Sequence, residues 1–276
     1  MRVTAKLSRD FDPAAVVDPE HRGEVAWGQF NHHFERLQAR PWWRINEGRR
    51  HPLWLRLLRL GAAFVTHKRD AILDLGRKAA VFSRMPIPRD PDVVYFGAEA
   101  GWEALLVRAL FGAGGRVLLI DSDPVAFARF SAAPAEVRVR APRGWPDREL
   151  VLGRDRARIE YAQADLFEVD PGARFDVGID WGLIEHYPDA GKARLLGAIT
   201  RFLRPGALEI SSCPRDTVFV RLFYRAFRDE VNFGYRELMS LAEHRAHLER
   251  AGFSIAHACT LPAHNVLAAR APAGAG

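Results

Sequence analysis

From Asp92 onward the chain alternates short apolar runs with helix-patterned stretches, and this alternation restricts its fold more than any other feature. The spacing predicts strands over 92–96, 116–120, 158–162, 175–180, 207–211, 253–259 and 265–269. Between them it predicts helices over 102–111, 124–130, 190–203, 216–230 and 235–251. Strands and helices in this order build a mostly parallel sheet with helices on both faces. The stretch 132–156 is long for one connection and rich in Pro and Arg, so it reads as a hairpin or an excursion. A parallel sheet binds ligands beyond the carboxyl ends of its strands. The residues that follow each apolar run therefore carry the functional information.

The first run leads into Gly97-Ala98-Glu99-Ala100-Gly101. Small residues let backbone approach a ligand closely, and the next helix aims its N-terminus there. The second run ends in Asp121, followed by Ser122. A carboxylate at that place can accept both hydroxyl protons of a ribose. The third is followed by Ala164-Asp165-Leu166, which offers an acceptor and an apolar wall. The fourth ends in Asp180-Trp181-Gly182-Leu183-Ile184-Glu185-His186. Each element alone has a bland explanation: a glycine turn is common in nucleotide-binding folds, and a single Asp at a strand end is more often a cap.

Taken in order, these segments resemble the class I S-adenosylmethionine-dependent methyltransferases. The matching stretches are Val94 to Gly101, Leu118 to Asp121, Ala164-Asp165, Phe175 to His186, and Phe202-Leu203-Arg204-Pro205-Gly206. The last two are the most specific, because a generic dinucleotide fold requires neither. The resemblance covers residues 92–212. It implies a Rossmann-like seven-stranded methyltransferase sheet, an α/β fold that is mostly parallel with its last strand antiparallel. It also implies S-adenosyl-L-methionine as cofactor, held by Tyr95, Gly97, Glu99, Gly101, Asp121, Ser122, Asp165, Leu166, Asp180 and Trp181, with His186 as candidate base. Two positions depart from the family pattern. Tyr95 stands where an acidic residue usually holds the cofactor's amino group, and Glu99 replaces the middle glycine.

Residues 1–88 have helical spacing and form an expected N-terminal cap on a cofactor domain of residues 89–276. Asp18-Pro19 starts one helix, with Trp27, Phe30, Phe34 and Leu37 on one face. A second begins near Pro52, with Trp54, Leu57, Leu58, Phe64 and Val65 inward, and a third covers 72–82. A further amphipathic helix over 216–230 carries Phe219, Leu222, Phe223, Ala226 and Phe227 on one face, inside a lid insertion near 214–232. Trp42, Trp43, Arg44, Phe219 and Phe223 are the candidate acceptor-binding residues. Arg44, Arg49 and Arg50 suit a carboxylate or phosphate on the substrate. The simpler alternative for both helical regions is completion of the core.

Charge is uneven. Residues 1–90 hold 17 Lys/Arg and 10 Asp/Glu, whereas the remainder holds 23 and 24. The excess is diffuse, without the basic runs of nucleic-acid binders, so it reads as solvated surface. The two cysteines, Cys213 and Cys259, lack metal-ligand spacing and read as reduced thiols of a cytoplasmic protein. The richest apolar stretch, 53–65, is interrupted by Arg56 and Arg59, and no membrane partner is expected.

The expected function is methyl transfer from S-adenosyl-L-methionine to a small-molecule acceptor in secondary metabolism. No metal and no nucleic acid are expected, and homodimerisation is left open. Two alternatives remain beside it. The altered glycine loop could present the cofactor's aminocarboxypropyl arm, giving methylthioadenosine as by-product. Alternatively, the chain could be an inactive methyltransferase-like binding module.

Overall fold

A computed structural model describes residues 4–5, 42–48, 50–68, 71–153, 158–227 and 236–274. The expected helix from Asp18, with Trp27, Phe30, Phe34 and Leu37, lies outside the described residues, as do Arg49 and the side chains of Phe64 and Val65.

Seven strands form one sheet: β1 (Val93–Phe96), β2 (Val117–Ile120), β5 (Ile159–Ala162), β6 (Phe175–Trp181), β7 (Leu203–Pro214), β8 (Ser254–Thr260) and β9 (His264–Arg270). A separate hairpin, β3 (Glu136–Arg140) with β4 (Glu149–Gly153), fills the long connection after β2. The spatial order is β8-β9-β7-β6-β1-β2-β5. Pairing is parallel from β7 through to β5, and β9 runs antiparallel between β7 and β8. The last strand in sequence is thus the antiparallel one. β1 and β2, Val-Val-Tyr-Phe and Val-Leu-Leu-Ile, are buried along their whole length. Such continuous apolar runs are what a strand covered on both faces requires.

One face of the sheet packs against α2 (Ala71–Phe82), α3 (Trp102–Phe111) and the hairpin. The other packs against α5 (Asp189–Phe202) and α7 (Leu241–Arg250). α4 (Pro124–Ala132) follows β2. Leu75, Ala79, Phe82, Met85 and Ile87 share the core of Val93 and Tyr95, so packing is continuous across the expected division at residue 88. A third, smaller apolar cluster joins α1 (Leu53–Lys68) to α6 (Val218–Ala226).

Three boundaries differ from the sequence expectation. α7 begins at Leu241 rather than 235, because Ser240 and Glu243 form a capping box there and Arg236–Glu237 is extended, paired with Thr4–Ala5. α6 spans only Val218–Ala226, started by Thr217, whose hydroxyl accepts from Val220 N–H at 3.3 Å. β7 runs on to Pro214 because β9 pairs with it to that end, beyond the limit of β6 at Ser212.

At the amino ends of the strands, Arg204 binds Asp92 at 2.9 Å and also Asp176. Asp176 accepts the N–H of Asp92 at 2.9 Å, and Asp92 accepts that of Arg116 at 3.0 Å. This network bolts β1, β2, β6 and β7 together at the end opposite the glycine loop.

Glu209 on β7 is fully buried over Gly178 of β6, and among the described residues neither carboxyl oxygen has a hydrogen-bond partner. Burial and the neighbouring Asp180 push its pKa well above the usual carboxylate range. An acid raised in this way contributes most to stability below its ordinary pKa. That contribution is lost as pH rises toward the folded-state value. Glu209→Gln should therefore raise stability by on the order of 2 kcal/mol at pH 8 and change little at pH 4. Urea denaturation at the two pH values measures this, and equal effects at both would contradict it.

Candidate active site

The carboxyl ends of β5, β2, β1 and β6 lie side by side, and most of the residues singled out from sequence gather there. β1 turns through Gly97–Gly101 into α3. The N–H groups of Gly97 and Ala98 both donate to Ile120 O, at 2.9 and 3.1 Å, tying the loop to the end of β2. Gly101 has φ 76°, and a Cβ there would lie 2.6 Å from Leu119 Cδ1. Only glycine fits that approach.

Glu99 adopts φ 46° without being glycine, a conformation that costs about 1 kcal/mol. Its N–H donates to Asp121 Oδ2 at 3.0 Å, and its carboxylate meets Arg129 Nη1 of α4 at 2.5 Å. The Tyr161 hydroxyl donates to its carbonyl at 3.3 Å. Glu99 therefore braces the loop against α4 instead of reaching along it.

Asp121 accepts one backbone N–H at each carboxylate oxygen, from Asp123 at 2.9 Å and Glu99 at 3.0 Å. Each oxygen keeps a further lone pair. Burial raises its pKa to about 6, against the lowering effect of these two bonds. Ser122 is exposed beside it. Asp123 then caps α4 by accepting from Val125 N–H at 2.9 Å, with Pro124 in the first turn. At the next strand end, Asp165 Oδ1 accepts from Phe167 N–H at 3.0 Å and Leu166 is buried. Arg201 of α5 supports this turn by donating to Leu166 O and Phe167 O, at 3.4 and 3.2 Å.

β6 ends in two residues that point to opposite faces. Asp180 is fully buried on the side of α5 and α7. Trp181 turns to the side of α2, where Phe82 meets it edge-on at 5.7 Å and Lys78 Nζ sits 4.7 Å from its ring centroid. His264 stacks on it at 6.1 Å, with its Nδ1 3.1 Å from Ser212 Oγ. Lys78 Nζ also lies 2.5 Å from Glu103 Oε1 in the first turn of α3. Tyr95 is 3% exposed, and burial together with the adjacent Glu103 carboxylate pushes its phenol pKa well above the ordinary value.

His186 closes a short 3-10 turn, Ile184–His186, and is buried. Its Nε2 lies 3.2 Å from Arg236 Nη2 and 3.8 Å from Glu185 Oε1. A guanidinium only donates, so Nε2 is the acceptor in the contact with Arg236. Arg236 in turn lies 4.9 Å from the Tyr224 ring centroid on α6. Burial raises the Glu185 pKa to about 7, opposed by Arg236.

The acceptor candidates separate into two groups. Trp42 and Phe223 pack on the α1–α6 cluster, with Phe223 5.1 Å from Phe227 and 5.6 Å from Tyr224. Trp43 and Phe219 are exposed, 63% and 59%, and Arg44 is an exposed partner of Glu47. Arg59, read from sequence as an interruption of an apolar stretch, is 1% exposed. It donates to Ala226 O at 2.5 Å, Ile45 O at 3.3 Å and Asn46 Oδ1 at 3.1 Å, and lies over the Phe227 ring. A surface depression lined by Asp170–Arg174, Gly197, Thr200 and Arg201 lies at the opposite, amino end of β6.

Sequence reasoning missed Lys78, Glu103, Arg129, Arg236 and His264. Glu103 had a signal, since it stands two residues beyond Gly101. The others come from distant segments and join the site only through tertiary packing.

No family profile matches the chain, and no curated protein matches it in sequence. Solved structures do match in shape. A protein described as a possible exported protein from Bordetella parapertussis superposes with TM-score 0.58 at 18% identity, over 94% of this chain and 85% of that one. An O-methyltransferase family protein from Burkholderia thailandensis gives 0.54 at 14% identity, over 90% and 72%. The human N-acetylserotonin methyltransferase, solved in complex with SAM, gives 0.53 at 16% identity, over 92% and 68%. The chain has the class I methyltransferase fold. Among the described residues, no helix is long and apolar enough to cross a membrane.

Arg59 staples α1 to the end of α6 and to Ile45 and Asn46. Arg59→Met leaves two buried carbonyls and the part-buried amide oxygen of Asn46 without this donor and should cost roughly 2–4 kcal/mol. Chemical denaturation followed by tryptophan fluorescence tests it, and a loss within 0.5 kcal/mol, roughly that of an ordinary surface substitution, would contradict it.

Proposed function

We propose that this chain is an S-adenosylmethionine-dependent methyltransferase acting on a small-molecule acceptor. The observation that carries this reading is Asp121. Its carboxylate sits between the glycine loop and the start of α4, pinned by two backbone N–H groups and retaining two lone pairs. That arrangement suits the paired hydroxyls of a ribose. The neighbouring Asp165 suits the amino group of an adenine, and Leu166 and Leu183 supply apolar surface for its ring. The loop fits a close-lying ligand, since Gly97 and Gly101 keep its backbone bare. Bound there, S-adenosylmethionine supplies a methyl group activated by a sulfonium.

The chain's own residues position the reactants, which accounts for much of the rate in a displacement of this kind. Trp181 offers an aromatic surface to a cation. His186, with Nε2 turned to Arg236, suits holding the Ile184–His186 turn against Arg236, which lies over Tyr224 of α6. α6 and α1, joined in one apolar cluster, would suit a cover over the acceptor, which favours a small, partly apolar one. Arg44 and Arg50 would suit an acidic group on it. The resemblance in shape to N-acetylserotonin methyltransferase and to an O-methyltransferase family protein supports the same reading.

Mass spectrometry of the products, with a panel of small hydroxyl- and amine-bearing acceptors, tests the reaction. S-adenosylhomocysteine is expected. Methylthioadenosine would indicate transfer of the aminocarboxypropyl arm instead. Asp121 adds a pH signature. Its raised pKa means that it is protonated below about pH 6, where it loses acceptor strength. Affinity for S-adenosylhomocysteine should be flat above pH 7 and fall by up to about tenfold per unit below pH 6. Asp121→Asn should bind weakly and without that pH dependence. A wild-type affinity unchanged from pH 7 to 5 would contradict the assignment.

A further inference from the structure

The glycine loop is flanked by different chemistry on its two sides. On the β2 side stands Asp121, a double acceptor. On the β6 side stands an anion–cation pair, Glu103 and Lys78, with Nζ–Oε1 2.5 Å and side chains only 11% and 12% exposed. Glu103 lies in the first turn of α3, two residues beyond Gly101. Lys78 comes from α2 and lies over Trp181 at the end of β6. Tyr95, buried in the penultimate position of β1, is placed to donate its hydroxyl to Glu103. Removing two charges from water is repaid only in part by their mutual attraction, so such a pair is weak evidence for stability. Its place beside the loop gives it a use.

We infer that Lys78 and Glu103 determine specificity for the amino-acid end of the ligand, Lys78 binding its α-carboxylate and Glu103 its α-ammonium. This rests on the adenosyl-ligand reading of Asp121. A zwitterion inserted between the two side chains exchanges one ion pair for two charge-assisted contacts and leaves no charge unpaired. Tyr95 is then a positioning residue. Its buried phenol stays neutral and orients the acid, which is carried by α3 instead of β1. The assignment makes α2, from the part of the chain before residue 88, a component of the pocket. It also gives the zwitterionic arm, rather than the nucleoside, a large share of discrimination between ligands.

Isothermal calorimetry with two ligands tests this. S-adenosylhomocysteine carries the zwitterion, and methylthioadenosine carries the same nucleoside without it. The wild-type chain should bind the first more tightly by about tenfold or more. Lys78→Met and Glu103→Gln should each weaken S-adenosylhomocysteine by about tenfold or more and leave methylthioadenosine unchanged, which also reports that the variants are folded. Lys78→Arg should retain most of the preference. Equal losses for both ligands, or an unchanged preference in both variants, would overturn the inference while leaving the nucleoside site intact. Wild-type protein that binds neither ligand would overturn it together with the adenosyl reading.

Discussion

β1 is held in register between β2 and β6, with Phe96 level with Ile120 on one side and Asp180 on the other. The arrangement of the glycine loop and Asp121 follows from that alignment. It brings the ends of three parallel strands to one height, so the turn after β1 can borrow Ile120 O as an anchor for two N–H groups. Asp121, one residue further, then reaches back to Glu99. At the opposite end, Arg204 with Asp92 and Asp176 prevents the same strands from sliding. A one-residue slip would turn every side chain of β1 to the wrong face. The polar network at the amino ends and the ligand chemistry at the carboxyl ends are thus two consequences of one pairing.

This division explains what was legible in the chain. The two stretches most specific to the methyltransferase resemblance contain Asp176 and Arg204, which act on each other at the far end of the sheet from the glycine loop. There a short-range ion network ties the strands at a fixed stagger. Asp121 and Asp165 were legible because the carboxyl end of a parallel strand is a defined place in the chain. α6 was legible from its apolar face, but its limits depended on Thr217 and on packing against α1. Lys78 could not be assigned to the site by spacing. Nothing in 71–82 distinguishes a lysine on a solvated cap from one lying against Trp181, since the difference lies in how α2 docks on α3. Arg59 is the same case in reverse, a charge that reads as surface and is buried because three carbonyl and amide oxygens converge on it.

The altered glycine loop also takes on a physical meaning. Replacing the middle glycine by Glu99 strains the backbone, and the ion pair with Arg129 and the bond to Asp121 offset that strain. With Tyr95 at the end of β1, no carboxylate stands on the strand itself. An acid is nevertheless present at the same end of the loop, on the first turn of α3, with a lysine against it. The charged groups beside the loop thus stand on the flanking helices α2 and α3 rather than on the strand.

The most direct test of this account is a crystal structure of the chain with S-adenosylhomocysteine. The account predicts the ribose hydroxyls on Asp121, the adenine against Asp165 and Leu166, and the amino-acid end beside Glu103. Ligand bound elsewhere, or bound at the glycine loop without contact to Asp121, would contradict it.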